Sequence, residues 1–286
     1  MGREEEEAVL EVLRSGMLSA GRLVREFEEC FCAYNNSPHA VATSSGTTAL
    51  HVMLEAVDIA PGDKVLVTPY SFIATANALL YTGAVPVFVD IDASTFNLSY
   101  QELKKAVKEH PDAKAILVVH IFGLPADMSE IAELAQKHNL MLLEDCAQAT
   151  GAAYRGVKVG NFGKAAAFSF YPTKNITSGE GGMLVTGDPA VAEKARILVN
   201  QGQRRRYCHE LVGYNYRMSN IHAAIGITQL GKLDQFNRLR LENAMYYQQR
   251  INHPEVLKPY LPPDRIHVFN QYTLRVKNRE QFTRYL

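Results

Sequence analysis

The sequence predicts an α/β protein built round a buried parallel sheet. Three observations carry this expectation. Short apolar runs alternate with helical runs from residue 40 to residue 143, polar loops close the apolar runs, and one lysine, Lys174, stands between two further apolar runs. Strand and helix alternating over about a hundred residues imply right-handed βαβ crossovers. Ligands of such a sheet bind where strand C-terminal ends meet loops, so the loops are where chemistry is sought.

In chain order, residues 4–15 read as an amphipathic helix with acidic residues in its first turn and Gly16 just past its end. A second helix over 22–34 carries Leu23, Phe27, Phe31 and Tyr34 at helical spacing, the stripe of a core or subunit contact rather than a ligand box. Strands follow at 40–43, 64–68, 85–89, 115–119 and 140–143. The helices between them fall at 47–57, 73–81, 100–109 and 129–138. Further strands are expected at 165–171, stopped by Pro172, and at 183–186, followed by a long helical run over 220–241. Beyond Pro254 the chain is punctuated by Pro259, Pro262 and Pro263, with a strand at 272–276 and a helix opening at Asn278. The expected organisation is an N-terminal helical segment (1–38), a large α/β domain (39–245) and the beginning of a small C-terminal domain (246–286).

Composition excludes several classes. The 286 residues carry 30 basic and 30 acidic side chains, so no electrostatic case for nucleic acid or a membrane surface arises. Cys30, Cys32, Cys146 and Cys208 lack metal-ligand spacing and disulfide density, which fits a reducing cytosol. The opening Met-Gly-Arg-Glu-Glu-Glu-Glu is the opposite of a signal peptide, and no apolar run approaches about 18 residues. A cytoplasmic protein is expected.

Five loops carry suggestive residues. Thr43 to Ala49, with Ser45, Gly46 and Thr47, closes a strand and opens a helix; its amides and the positive helix end suit a phosphate, although Ser and Thr are also ordinary N-caps. Phe72 is placed either to stack on a planar ligand or to pack into core. His120 is a base, a substrate contact or a hydrogen-bonded structural histidine. Glu144 and Asp145 end an apolar strand; buried carboxylates need partners, and successive strand residues point to opposite faces, so the two should not share a role. A pyridinium nitrogen is one such partner, and a water-exposed strand end is the alternative. Arg204, Arg205 and Arg206, ahead of the polar-aromatic segment 211–218, form a solvated face or a diphosphate contact.

Lys174 follows Pro172 and precedes Gly179, Gly181 and Gly182. On a tight loop between core strands it is placed to be a desolvated amine able to form a Schiff base with a carbonyl, the alternative being a snorkelling surface lysine.

With these loops in hand, the chain resembles the DegT/StrS-type nucleotide-sugar aminotransferases, a branch of the fold-type-I pyridoxal phosphate (PLP) enzymes. The matching stretches, in the family's order, are Ser-Gly-Thr at 45–47, Phe72, Glu-Asp-x-Ala-Gln at 144–148, Phe-Ser-Phe-Tyr-Pro-Thr-Lys-Asn at 168–175, Gly-Glu-Gly-Gly at 179–182 and Gly-Tyr-Asn-Tyr-Arg-Met at 213–218. The resemblance implies a mostly parallel central sheet sandwiched by helices, with a small α+β C-terminal domain that is truncated here. It assigns Lys174 to the Schiff base with PLP and to proton shuttling, and Asp145 to the pyridine nitrogen. Gln148 would meet the phenolic oxygen and Phe72 the ring face, while Ser45, Gly46, Thr47 and Ser169 would hold the phosphate. Asn215 would reach the phosphate of a neighbouring subunit's cofactor, which implies a homodimer with its active site at the interface. No metal is implied.

The implied reaction moves an amino group from L-glutamate, leaving 2-oxoglutarate, to a keto group of a nucleotide-linked sugar in amino-sugar or surface polysaccharide biosynthesis. The Ser-Gly-Glu-Gly-Gly run after Lys174 is closer to members acting at sugar C4 than at C3. Related sugar dehydratases have histidine where Lys174 stands, and no Gly-x-Gly-x-x-Gly follows the first strand, so neither a dehydratase nor a nicotinamide enzyme is expected. Family members are longer and have a proline-containing lead-in before the first helix. The remaining alternative is therefore a truncated, catalytically silent homologue acting as a binding or regulatory protein.

Overall fold

The computed structural model describes residues 1–285. Helix α1 (Arg3–Ser15) stops at Gly16, whose φ of 70° is readily adopted by glycine. Helix α2 (Arg22–Asn35) follows and buries Phe27 and Phe31 completely. The alternating region then runs β1 (His39–Thr43), α3 (Gly46–Ala56), β2 (Lys64–Val67), α4 (Ala74–Tyr81), β3 (Val85–Phe88), α5 (Tyr100–Glu109), β4 (Ala113–Val119), α6 (Met128–Lys137) and β5 (Met141–Asp145). Every expected element of this stretch is present, with ends moved by a residue or two.

After it come the short β6 (Ala153–Tyr154) and β7 (Val157–Lys158), then β8 (Ala165–Ser169), β9 (Gly182–Thr186) and α7 (Pro189–Val199). Helix α7 went unread in the sequence although its start is marked: Asp188 caps it by accepting from the Ala190 N–H, and Pro189 sits in the first turn. A small hairpin, β10 (Gln203–Arg205) and β11 (Cys208–His209), precedes α8 (Asn220–Leu230) and α9 (Leu233–Arg250). The single helix expected over 220–241 is thus two, broken at Gly231 and Lys232. Last are β12 (Val256–Leu257), β13 (Arg265–Ile266), β14 (Arg275–Val276) and α10 (Arg279–Tyr285). The strand expected over 272–276 shrinks to β14, which pairs only with the two residues of β12.

The central sheet has the strand order β1-β9-β8-β5-β4-β2-β3. Strands β8, β5, β4, β2 and β3 are parallel, whereas β9 runs antiparallel to both β8 and β1. The sheet is mostly parallel, as expected, and two features depart from simple βαβ order. The segment from β8 to β9 forms no crossover helix, and the chain returns antiparallel. Strand β1 does not neighbour β2 but lies at the far edge, beyond β9.

Period-two alternation sorts the side chains of the sheet into two cores. Leu117, Leu143, Ala165 and Ala167 face α3, α4 and α7. Ile116, Val118 and Leu142 face α5 and α6, and Ala166 and Phe168 face α2 and α8. Phe31 of α2 meets Phe168 edge-on, with ring centroids 5.0 Å apart, so the aromatic stripe of α2 is core. The three-layer sandwich leaves the C-terminal ends of β2, β4, β5 and β8 as one open edge. Strand β13 pairs with β6, bringing residues 268–271 back over that edge. The Val268 N–H donates to Gly123 O and the Gln271 N–H to Phe122 O.

Candidate active site

A cavity of about 550 Å³ opens at this edge. Its wall includes Ser45, Gly46, Thr47, Phe72, Asp145, Gln148, Ser169 and Lys174, so the fold gathers every expected site residue except Asn215.

The start of α3 supplies one part of the wall. Ser45 is its N-cap: the hydroxyl accepts from the Thr48 N–H at 3.1 Å, and Thr48 Oγ1 accepts from the Ser45 N–H at 2.9 Å. The capping reading therefore holds. It does not compete with anion binding, because an α-helix leaves its first-turn amides, here Gly46 and Thr47, without intrahelical acceptors. The end of β8 presses against this turn. A Cβ built on Gly46 would lie 2.6 Å from Ser169 Cβ and 2.8 Å from its Oγ, so only glycine lets the two segments form one small, amide-rich hollow.

The end of β5 supplies another part of the wall. Asp145 is 4% exposed, and its two oxygens accept from Thr75 Oγ1 at 2.7 Å and from the Ala147 N–H at 3.0 Å. Gln148 Oε1 accepts from the Phe122 N–H at 2.6 Å, which leaves its NH2 group as the free donor at the cavity.

Glu144, on the opposite face, is fully buried and absent from the cavity wall. It gathers the N–H groups of Gly160, Phe162 and Gly163 at 2.7, 2.8 and 2.9 Å, and lies 3.0 Å from His120 Nε2. Because the Ala126 N–H donates to His120 Nδ1, the proton of the neutral ring sits on Nε2 and is donated to Glu144. His120 is thus structural, and neither acid is a water-exposed strand end. His120, Glu144 and Cys146 place one ligand atom each within 4.8 Å of one another, but these hydrogen bonds already occupy the Glu144 oxygens and His120 Nδ1.

Lys174 lines the same cavity, on a turn closed by its own N–H donating to Tyr171 O at 2.9 Å. Burial lowers its pKa from the usual lysine value, opposed by the nearby Asp145 charge. Lys174 is half-buried in the cavity wall, and among the described residues no carboxylate forms an ion pair with its Nζ. The turn is clamped by amides: Asn175 Nδ2 donates to Asn237 Oδ1 and Val268 O, and Asn270 Nδ2 donates to Asn175 Oδ1.

Phe72 is 70% exposed at the cavity rim and does not pack into core. Asn215 is exposed outside the cavity, in a segment whose Tyr216 O accepts from the Ser44 N–H. Arg217 bonds Asn200, and of the basic run Arg204 is paired to Glu193 and Glu210. Sequence reasoning missed Ser71, Thr75, Asn270 and Gln271, all in the cavity wall. The first two lie one helical turn apart, a legible spacing; the last two arrive only through the pairing of β13 with β6.

The site gathers an amide-rich hollow, a buried carboxylate, an amide donor, an exposed aromatic and a half-buried lysine amine around one cavity. A model of the DegT/DnrJ/EryC1/StrS aminotransferase family matches residues 1–286. GDP-perosamine synthase of Caulobacter vibrioides is 44% identical over 277 residues, covering 95% of this chain and 74% of that protein. The dTDP-3-amino-3,4,6-trideoxy-alpha-D-glucose transaminase of Streptomyces venezuelae is 39% identical over 285 residues, covering 99% of this chain and 75% of its own length. The crystal structure of S. venezuelae DesV in complex with a ketimine intermediate superposes with a TM-score of 0.93 at 39% identity, covering 97% of this chain and 75% of that one. Among the described residues no helix is long and apolar enough to cross a membrane.

Proposed function

The chain belongs to the DegT/DnrJ/EryC1/StrS aminotransferase family of PLP-dependent enzymes, and from that premise we propose that it aminates the keto carbon of a nucleotide-activated sugar, with L-glutamate as donor and 2-oxoglutarate as by-product. The carrying observation is the meeting of Lys174, Asp145 and the Gly46–Ser169 hollow in one cavity.

The cavity fits PLP group by group. The amides of Gly46 and Thr47 with the hydroxyls of Ser45, Thr47 and Ser169 would hold the phosphate, Asp145 the pyridine nitrogen, Gln148 the phenolic oxygen and Phe72 a ring face. When bound, PLP supplies an aldehyde that condenses with amines and a ring that draws electrons from the adjoining carbon. The protein does the rest. Burial favours the neutral amine of Lys174, the form that would condense with the cofactor's aldehyde and that, once released, would take a proton from the donor's Cα. The same Nζ returns a proton to the sugar carbon in the second half-reaction. Asp145, fixed by Thr75 and Ala147, would keep a proton on the ring nitrogen.

The working unit in this reading is a homodimer whose Asn215 serves the partner's phosphate hollow; its exposure outside its own cavity supports this. Amination at C4 is preferred on the Ser-Gly-Glu-Gly-Gly run after Lys174, and a cytoplasmic setting on four free cysteines.

The test is an absorption spectrum of the purified chain with PLP, then with L-glutamate. A band near the visible edge that moves to the ultraviolet on adding glutamate is expected, followed by turnover with keto-sugar nucleotides. If no such band forms, the binding or regulatory reading takes its place.

A further inference from the structure

Asp145 is steadied by one local and one distant group. The Ala147 N–H, two residues on, reaches Oδ1 in an Asx-type turn. Thr75, 2% exposed in the first turn of α4 and 70 residues earlier in the chain, donates to Oδ2 at 2.7 Å. A hydroxyl has one hydrogen, and Asp145 takes that of Thr75. Ser71 Oγ, 2.8 Å from Thr75 Oγ1, must then be the donor in their contact. The hydroxyls therefore run in one direction, from Ser71 to Thr75 to Asp145. With one protein donor on each oxygen the carboxylate plane is set, and its remaining lone pairs are left to the cavity that Asp145 lines.

We infer that Thr75 is a positioning residue of the reaction: its hydroxyl holds the Asp145 carboxylate in the orientation that engages the ring nitrogen of the cofactor. The inference rests on the proposed PLP reading of the cavity. Valine has the shape of threonine without the donor, so Thr75→Val leaves Asp145 Oδ2 buried and short of a partner with little change in packing. Thr75→Ser restores the donor.

The experiment compares dissociation constants for PLP and for 1-deaza-PLP, in which CH replaces the ring nitrogen, on the cofactor-free 286-residue chain and its variants, with circular dichroism confirming the fold. Thr75→Val is expected to weaken PLP about tenfold, which is about 1.4 kcal/mol, and to leave the analogue within about twofold. Thr75→Ser should bind both ligands as the unaltered chain does. An equal loss for both ligands, or no loss for PLP, would overturn the inference. Equal binding of the two ligands by the unaltered chain would instead show that Asp145 does not engage the ring nitrogen, and the inference would fall with that reading. Should Thr75→Val not fold, Ser71→Ala, which frees the Thr75 hydroxyl to turn, is expected to weaken PLP about threefold and spare the analogue; no selective loss would overturn the inference.

Discussion

Glu144 and Asp145 are consecutive on β5 and serve opposite faces of the sheet. Glu144 lies 3.0 Å from His120 Nε2 and ties down the turn at 160–163, while Asp145 accepts from Thr75 at 2.7 Å beside the cavity. Substitution should therefore separate stability from catalysis. Glu144→Gln turns an amide NH2 towards backbone donors inside the core, and is expected to cost on the order of 3 kcal/mol in urea unfolding. Asp145→Asn should cost about 1 kcal/mol or less in the same assay but lower turnover roughly a hundredfold or more.

Lys174 is expected to be the point of covalent attachment. After incubation with PLP and reduction with borohydride, mass spectrometry should find the added mass on the peptide containing Lys174 and nowhere else. Lys174→Ala should lose the modification, and its turnover should fall by more than about a hundredfold. Retained labelling in that variant would assign the chemistry to another lysine.

Gly46→Ala should act on the phosphate hollow before it acts on the fold. The added methyl meets Ser169 Cβ and Oγ, so either α3 or the end of β8 must yield. Overpacking of this kind costs about 1–3 kcal/mol. Because the strain falls on the hollow itself, PLP affinity should drop tenfold or more. Gly182→Ala, whose Cβ would meet the Ser45 carbonyl, is the companion variant with the same expected direction.

Acid should unfold the chain in two windows. Burial lowers the His267 pKa from 6.5 to about 4. The folded ring thus stays neutral where the unfolded one takes a proton, and its contribution to stability is complete above pH 6.5 and lost as pH falls to about 4. Burial of Glu5 alone would raise its pKa, but hydrogen bonds from Lys232, Gln229 and the Gly2 N–H prevail and hold it at about 2, below the usual 4.5. Its contribution is complete above pH 4.5 and lost as pH falls to about 2. Urea midpoints measured against pH should show His267→Gln flattening the upper window and Glu5→Gln the lower one.

Much was legible before any coordinates. The alternation of apolar and helical runs set out the sheet and its covering helices because strands buried on both faces and amphipathic helices leave local periodicities. The strand-end loops offered Ser45, Gly46, Thr47, Asp145 and Lys174 as candidates because they adjoin those periodicities, and the resemblance to the family added Gln148 and Ser169. What local pattern cannot carry is pairing between distant segments. The antiparallel β9, the edge position of β1, the reach of Thr75 to Asp145 across 70 residues and the arrival of Asn270 beside Lys174 depend on which surfaces pack together. Residue types and their spacing thus determined the family, the strands and the candidate residues for its chemistry. Tertiary structure alone decided the orientation of Asp145, the partial burial of Lys174 in the cavity wall, and the fate of His120 as a core residue, because hydrogen-bond partners and solvent exposure are properties of packed neighbours and not of neighbours in sequence.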